Sequence, residues 1–252
     1  MRFSTDGLII KENNVGESNR IVTVLTRDRG LVSAFVGGAR GIKSKNAVGT
    51  ALLTYSNLTL NQTKDKYTVT ESEAKDVFFG LRTDIEKLSL AQYICELLLE
   101  IVPFEVESQD FLRLTLNSLH FIEKDKMDLF AVKSLTELRL MAVAGFMPDL
   151  VGCRECGSDA NFPLFLDLLG GDMLCEKCKA KSVVQGRFAE LDKTTFAAMR
   201  HIVYSEFSKL YSFVLPPHNA KYLSFVTEQY LLTQTERKFK TLDFFHSLEV
   251  RL

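Results

Sequence analysis

Two pairs of closely spaced cysteines constrain the fold of this chain more than any other feature of its sequence. Both pairs have the form C-x-x-C, and they consist of Cys153, Cys156, Cys175 and Cys178. The spacing within and between the pairs is typical of zinc ribbons, in which each pair occupies a tight turn and the two turns enclose one metal ion. The pattern therefore predicts a compact metal-binding insert at residues 151–182.

The expected ion is structural Zn²⁺, because four cysteine ligands leave no coordination position open for catalysis. Three alternatives remain: two disulfides, two redox-active pairs, or an iron centre with the same ligands. Disulfides are disfavoured because the N-terminus, MRFSTDGLIIKE, lacks the basic and apolar stretches of a secretory signal. We therefore expect a cytoplasmic protein that is neither secreted nor inserted into a membrane.

The first third of the chain favours short β-strands. Five segments rich in β-branched and aromatic residues are separated by turn-forming residues, as in small closed or sandwiched β-domains. These segments are GLIIKEN, RIVTVLTR, LVSAFV, LLTYSNLTL and KYTVTES. The sequence Asp28-Arg29-Gly30 between the second and third segments predicts a three-residue hairpin turn with glycine in the left-handed conformation.

The period of the apolar residues changes from residue 83 onward. Leu88, Ala91, Cys95 and Leu98 recur at helical spacing before Pro103, which predicts an amphipathic helix with Cys95 as an inert core residue. The C-terminal KFKTLDFFHSLEVRL is expected either to dock as a final helix or to fray. Further helices are predicted at residues 111–123, 129–146, 193–208 and 219–235.

These patterns together predict an α+β fold: an N-terminal OB-type β-barrel followed by an all-helical domain with an inserted four-cysteine zinc-binding motif. The barrel is expected to be a nucleic-acid-binding domain. The predicted boundaries are 1–80 for the barrel, 81–150 and 183–240 for the helical domain, 151–182 for the insert and 241–252 for a C-terminal tail.

Positive charge is concentrated in the barrel segment. The whole chain has a formal net charge of -1, so binding of a polyanion requires charge segregation. In an OB-type barrel the second and third strands and their loops form the face that binds oligonucleotides. Residues 20–45 contain one acid, Asp28, and we predict a DNA-binding role for their cations, which are Arg20, Arg27, Arg29, Arg40, Lys43 and Lys45.

The alternative interpretation of these cations is an ordinary solvated face. Phe35 and Tyr55 are two aromatic candidates for stacking against bases. Both lie in alternating strand patterns, however, so we expect them to fill the barrel core.

Motifs for catalysis are missing from the sequence. It contains no phosphate-binding loop of the G-x-x-x-x-G-K-[ST] type, no G-x-G-x-x-G, no H-E-x-x-H and no G-x-S-x-G. The four histidines are scattered along the chain, and no pattern brings two carboxylates to one cleft. We therefore predict a protein that is not an enzyme and has no catalytic residues.

Two longer stretches carry a resemblance to a known family. The run GLIIKENNVGESNRIVTVLTRDRGLVSAFVGGAR resembles the N-terminal domain of the RecO family of bacterial DNA repair and recombination mediators. The later runs ELRLMAVAGFMPDLVGCRECG and GGDMLCEKC are similar to the helix and zinc segment of that family. The order of the parts agrees from Gly7 to at least Cys178, and beyond Cys178 only the helical content agrees.

The resemblance implies a non-enzymatic mediator. Members of the family bind single- and double-stranded DNA without sequence specificity, anneal complementary strands, contact the C-terminal tail of single-stranded-DNA-binding protein (SSB) and work with RecR. They often act alongside RecF and help to load RecA onto coated strands, which implies a location at the bacterial nucleoid. The resemblance implies that the four cysteines bind the metal and that the six cations named above contact DNA.

Two other functions remain as alternatives. A zinc-ribbon, transcription-associated DNA-binding protein would grip DNA through the insert, but residues 153–181 contain four basic and five acidic side chains. A metal-dependent nuclease would require an open metal site built from carboxylates.

Overall fold

The computed structural model of the chain describes residues 1–41, 44–64, 66–182 and 186–249. The chain divides into two compact units, of which the first contains Met1–Lys124 and the segment from Phe239 onward, and the second contains Asp125–Lys238. The domain boundaries proposed from the sequence stay a prediction. Lys43 and the last three residues of the predicted tail lie outside the described residues.

Five strands of the first unit form a closed barrel in the order β1-β2-β3-β5-β4. The neighbours are antiparallel except β3 and β5, which pair in parallel. The barrel and its five strands confirm the sequence prediction. The strands are β1 (Arg2–Val15), β2 (Asn19–Thr26), β3 (Gly30–Val36), β4 (Tyr55–Thr63) and β5 (Lys66–Asp76).

Inward-facing side chains of the strands fill the interior of the barrel. Successive residues of a strand point to opposite faces, so buried residues alternate with exposed or half-buried ones from Ile21 to Val24 of β2 and from Val32 to Val36 of β3. The inward-facing side chains form one apolar cluster, which includes Ile9, Val22, Val24, Val32, Ala34, Val36, Leu58, Leu60 and Val69.

The described part of the chain contains the following helices: a short 3-10 helix (Phe79–Thr83), α1 (Ile85–Ile101), α2 (Gln109–Glu123), α3 (Leu129–Val143), α4 (Glu176–Lys181), α5 (Lys193–Tyr204), α6 (Pro217–Thr235) and α7 (Lys240–Glu249). Each helix expected from the sequence is present. A small sheet in the order β7-β6-β8 is formed by β6 (Leu164–Asp167), β7 (Met173–Cys175) and β8 (Phe188–Leu191). None of these helices is long and apolar enough to span a bilayer.

The C-terminal segment docks as a helix on α1. The rings of Phe239 and Tyr93 meet edge to face with centroids 5.8 Å apart. The backbone N–H of Thr241 donates a hydrogen bond to Glu96 at 3.0 Å. Of the two outcomes expected for this segment, a final helix is therefore the observed one. Cys95 is buried in α1, and burial raises its pKa to about 12, in agreement with an inert core residue.

A buried lysine connects α3 to α6 in the second unit. Lys133 Nζ lies 2.8 Å from Glu137 Oε1 and 2.8 Å from Glu228 Oε2, and its side chain is 0% exposed. Burial opposes the charge on Lys133, but the two carboxylates outweigh burial and raise its pKa. This cluster therefore stabilises the fold at pH values below the pKa of lysine in the unfolded chain, about 10.4, and the contribution is lost as the pH rises through the higher folded pKa.

Replacement of this lysine is expected to destabilise the second unit strongly. Lys133→Met leaves Glu137 and Glu228 buried without their cation, which costs about 3–5 kcal/mol of unfolding free energy. Urea unfolding monitored by circular dichroism measures the loss. Lys193→Met, at an exposed position of α5, is the control and should change stability by less than about 0.5 kcal/mol. Equal effects of the two variants would contradict the assigned role.

The hairpin between β2 and β3 depends on a glycine in close contact with another segment. Gly30 has φ +56°, and a Cβ atom at this position would lie 2.3 Å from the carbonyl oxygen of Pro103 and 2.7 Å from that of Val106. The backbone N–H of Leu31 donates a hydrogen bond to the same Pro103 oxygen at 3.2 Å. The predicted left-handed glycine is thus confirmed, and it also allows the segment after α1 to pack against the hairpin.

Gly30→Ala is expected to lower the free energy of unfolding by about 2–4 kcal/mol, because it adds a steric clash to an unfavourable φ. Gly16→Ala is a matched control: Gly16 has φ +60° and nothing within 4 Å of its Cβ position, so its cost is about 1 kcal/mol. Urea denaturation of both variants measures the difference. A similar loss in both would show that φ alone, and not the close contact, sets the cost.

Candidate functional site

The structure brings the four predicted metal ligands together. The Sγ atoms of Cys153, Cys156, Cys175 and Cys178 all lie within 4.8 Å of one another. The Sγ atoms of Cys156 and Cys175 are 3.8 Å apart. A tetrahedral zinc ion with Zn–S bonds of about 2.3 Å places its sulfurs about 3.8 Å from each other. The cluster therefore has the donor set and the dimensions for one metal ion.

Two turns of different construction present these thiols. In the first turn, Gly157 has φ +71° and its N–H donates a 2.7 Å hydrogen bond to the carbonyl of Cys153. In the second, Cys175 ends β7 and Cys178 lies in α4. The N–H of Arg154 donates to the carbonyl of Met173 at 2.8 Å, so a backbone hydrogen bond joins the first turn to β7.

Backbone groups of the two turns also favour the ionised form of one thiol, that of Cys153. Burial opposes the thiolate of Cys153, but backbone N–H groups of Cys175, Cys156 and Glu155 donate hydrogen bonds to it and lower its pKa to about 6. A hydrogen bond with Cys175 is the largest cause that raises the pKa of Cys178 to about 12. Binding of a metal must therefore displace protons from the less acidic thiols.

Two of the four cations beside the cysteines, Arg154 and Lys179, are engaged within the second unit. Arg154 Nη1 lies 2.7 Å from Asp172 Oδ1, and Nε of Arg154 lies 3.5 Å from Glu155 Oε1. Lys179 Nζ lies 3.6 Å from the ring centroid of Phe165. The insert therefore presents less free positive charge than its sequence suggests.

The described members of the six predicted DNA contacts do not form one patch. Arg27 and Arg29, here called the hairpin cations, flank the β2–β3 turn, where Thr26 pairs with Gly30. Arg20 pairs with Val36 at the opposite end of the same two strands. Six residues of extended strand separate these ends by about 20 Å.

Both hairpin cations have partners on the barrel. Arg27 Nε lies 3.0 Å from Asp28 Oδ1, and the hydrogen bond to Asp28 is the largest cause that raises the pKa of Arg27. The guanidinium carbon of Arg29 lies 4.3 Å from the ring centroid of Phe3. These contacts orient the two side chains at the end of the hairpin.

Arg20 is directed toward the protein. Its side chain is 13% exposed, Nη1 lies 3.2 Å from Glu12 Oε2, and Nη1 donates a 2.9 Å hydrogen bond to the carbonyl of Thr50. This geometry ties the segment around Thr50 to the barrel wall and leaves Arg20 little surface for a ligand.

Arg40 and Lys45, here called the loop cations, lie in the segment after β3 and are exposed. The backbone N–H of Arg40 donates a hydrogen bond to the carbonyl of Ser18 at 3.0 Å, so Arg40 lies beside the start of β2. Lys43, between them in sequence, is outside the described residues.

The expectation that Phe35 fills the core is wrong. Its side chain is 38% exposed, because Val32, Ala34 and Val36 of β3 point inward and Phe35 therefore points outward. Tyr55 is half-buried at the start of β4.

Sequence analysis also missed two neighbours of Phe35. Ile21, which pairs with Phe35 across β2 and β3, is 36% exposed, and Lys66 is exposed at the start of β5. The alternation along the strands could have placed Ile21 and Phe35 on the outer wall, because their neighbours Val22 and Ala34 face inward.

Comparisons with known proteins agree with this architecture. The family model "Recombination protein O N terminal" matches residues 1–78, and "Recombination protein O C terminal" matches residues 82–243. The chain belongs to the RecO family. The predicted resemblance is thereby confirmed over both parts of the chain.

Relatives in this family match over nearly their full length. DNA repair protein RecO of Acetivibrio thermocellus is 31% identical over 247 residues, which are 98% of this chain and 97% of the relative. The same named protein of Symbiobacterium thermophilum is 28% identical over 250 residues, covering 98% and 97%. That of Caldicellulosiruptor bescii is 27% identical over 247 residues, covering 98% and 99%. Membership of the RecO family supports a role in DNA repair and recombination.

In this RecO family member, loss of one cysteine is expected to abolish the metal centre. Cys175→Ser removes a buried ligand, so the variant should bind no stoichiometric metal and its insert should be destabilised. Atomic absorption and limited proteolysis measure the two effects. Cys95→Ser changes the buried cysteine of α1 instead and should keep one equivalent of metal. Full metal retention by Cys175→Ser would contradict the four-cysteine site.

Proposed function

We propose that this chain is a DNA repair and recombination mediator without enzymatic activity. It binds single- and double-stranded DNA without sequence specificity, anneals complementary strands and, with RecR, helps to load RecA onto single strands coated with SSB. The observation that carries the proposal is a closed barrel whose β2–β3 face has cations at both ends. Its other proposed partners are the C-terminal tail of SSB and, functionally, RecF and RecA, at the nucleoid in the cytoplasm.

The proposed DNA interface uses charge and not base identity. Lysine and arginine side chains that contact phosphates supply affinity without reading sequence, which is what annealing of arbitrary strands requires. The loop cations and the hairpin cations are exposed or half-buried, and Lys43 stands between the two loop cations in the sequence. Arg20 takes part through the segment around Thr50 that it holds in place.

The proposed ion in the cysteine cluster is Zn²⁺ with a structural role. Cys153, Cys156, Cys175 and Cys178 would hold it, and a closed set of four thiolates leaves no position for a substrate or an activated water. The ion would hold the first turn against β7 and α4 and would so contribute to folding of the insert.

Removal of the loop cations is expected to reduce the salt dependence of DNA binding. If about four to six phosphates are neutralised, the slope of log K against log salt on single strands is on the order of -3 to -4. Arg40→Ala with Lys45→Ala should flatten this slope by about one unit, measured by fluorescence anisotropy with a labelled oligonucleotide. Lys238→Ala with Lys240→Ala, two exposed cations outside the barrel, is the matched control. An unchanged slope in the loop variant would place the DNA contacts elsewhere.

Strand annealing tests the proposed function as a whole. Two complementary single strands, bare or coated with SSB, are mixed with the pure protein at two salt concentrations without nucleotide. Acceleration that survives the coating and weakens with salt is expected. Absence of acceleration would contradict the mediator role, and loss of full-length strands in the presence of Mg²⁺ would indicate a nuclease.

A further inference from the structure

An exposed aromatic ring lies in a groove on the outer wall of the barrel. Phe35 of β3 pairs with Ile21 of β2 on one side and with Thr68 of β5 on the other. The groove between these strands is lined by Ile21, Ser33, Phe35, Lys66 and Thr68. Two large apolar side chains, 38% and 36% exposed, thus lie side by side on the outer wall, although Val22 and Ala34 beside them are buried.

The position of the Phe35 ring is restrained by the chain that follows it. A Cβ atom at Gly37 would lie 3.6 Å from Cε1 of Phe35, so the edge of the ring reaches the backbone at the start of the loop after β3. The same segment continues to Arg40, whose backbone N–H donates a hydrogen bond to Ser18 beside the start of β2. The ring therefore lies five residues before an exposed cation that contacts the same strand pair.

The chemistry of the groove matches a nucleotide. A base offers a planar apolar face, a polar edge and a neighbouring negative phosphate. The described residues of the groove offer an aromatic face, the hydroxyls of Ser33 and Thr68, and the ammonium of Lys66, and none of them is acidic. The carboxylate of Glu105 accepts a 2.7 Å hydrogen bond from the hydroxyl of Tyr67. Tyr67 is itself buried, so this acid meets a side chain of the core.

Only a single strand can stack one of its bases on such a ring. In a duplex each base is stacked between its neighbours and paired, so its face is unavailable to a side chain on a convex barrel wall. Phosphates, by contrast, are accessible in both forms of DNA. Cations can therefore contact the phosphates of both forms of DNA, whereas the ring of Phe35 can stack only on a base of a single strand.

We propose that Phe35 is a stacking platform for one base of a single-stranded nucleic acid, with Ile21 beside the base and Lys66 at an adjoining phosphate. The inference rests on the proposed function, since it assumes that the β2–β3 face binds DNA, and it adds the contact that distinguishes single strands from duplex. A protein segment that covers Phe35 and Ile21 is the competing occupant. The Lys66 ammonium and the adjoining loop cations favour the nucleic acid.

The absence of tryptophan from the sequence allows a direct test. Phe35→Trp introduces a single tryptophan whose fluorescence is quenched when a base stacks on it. The full chain is titrated with oligothymidylate, with an abasic strand of equal length and charge, and with a duplex. Quenching is expected with oligothymidylate alone. Binding to all three is followed separately by anisotropy of a label on the DNA.

Phe35→Ala tests the same stacking contact through the affinity for DNA. It should weaken binding of oligothymidylate by about 5- to 150-fold, the range for loss of one base–aromatic stack, and should leave binding of the abasic strand and of the duplex unchanged. Phe35→Tyr, which keeps a ring, should retain the affinity of the original chain for oligothymidylate. Circular dichroism and thermal unfolding verify that each variant is folded.

The outcomes separate this inference from the proposed function. Equal loss of affinity for the thymidylate and abasic strands in Phe35→Ala would overturn stacking. Stacking would also be overturned if Phe35→Trp binds oligothymidylate without quenching of its tryptophan. If Arg40→Ala with Lys45→Ala still lowers the affinity for DNA in that case, the DNA role of the barrel stands. If the unmodified chain binds none of the three DNAs, the proposed function itself fails. Quenching by a protein partner and not by DNA would assign the groove to that partner.

Discussion

Closure of the barrel is the constraint on which the rest of the first unit depends. The 14 residues of β1 pair with both β2 and β4, and the short parallel contact between β3 and β5 completes the ring. A closed sheet leaves no strand edge unpaired, and closure fixes which side chains face inward. Because Val22, Ala34 and Val69 must fill the interior, their neighbours on the outer wall are determined as well. The groove at Phe35 is therefore a consequence of closure.

The distribution of charge matters more than its sum. The chain is almost neutral overall, yet the loop cations are exposed in the segment that follows β3, and Lys66 lines an apolar groove on the same barrel. Other cations that the sequence places near candidate sites are used internally: Arg20 holds the barrel wall, and Arg154 pairs with acids of the insert. This division favours DNA binding by the barrel over DNA binding by a zinc ribbon, because Arg154 and Lys179 of the insert are engaged and residues 153–181 contain more acidic than basic side chains.

The four-cysteine cluster is built from local geometry. Each cysteine pair lies in a short turn, and one backbone hydrogen bond from Arg154 to Met173 connects the two turns. The low pKa of Cys153 arises from backbone N–H groups of the same turns. A cluster of this kind needs few residues from elsewhere in the chain, which explains why the spacing alone predicted that the four cysteines come together.

The sequence by itself determined the five strands, the helices, the hairpin glycine and the cysteine cluster, because each of these follows from periodicity or spacing among nearby residues. Only the tertiary structure decided the internal pairing of Arg20, the outward direction of Phe35, the docking of α7 on α1 and the buried Lys133 between two carboxylates. The phase of β3 hinted at Phe35, but its groove also requires Thr68 and Lys66 of β5, some 30 residues away along the chain. Contacts between such distant residues depend on how the strands and helices close on one another, and no local pattern records that closure.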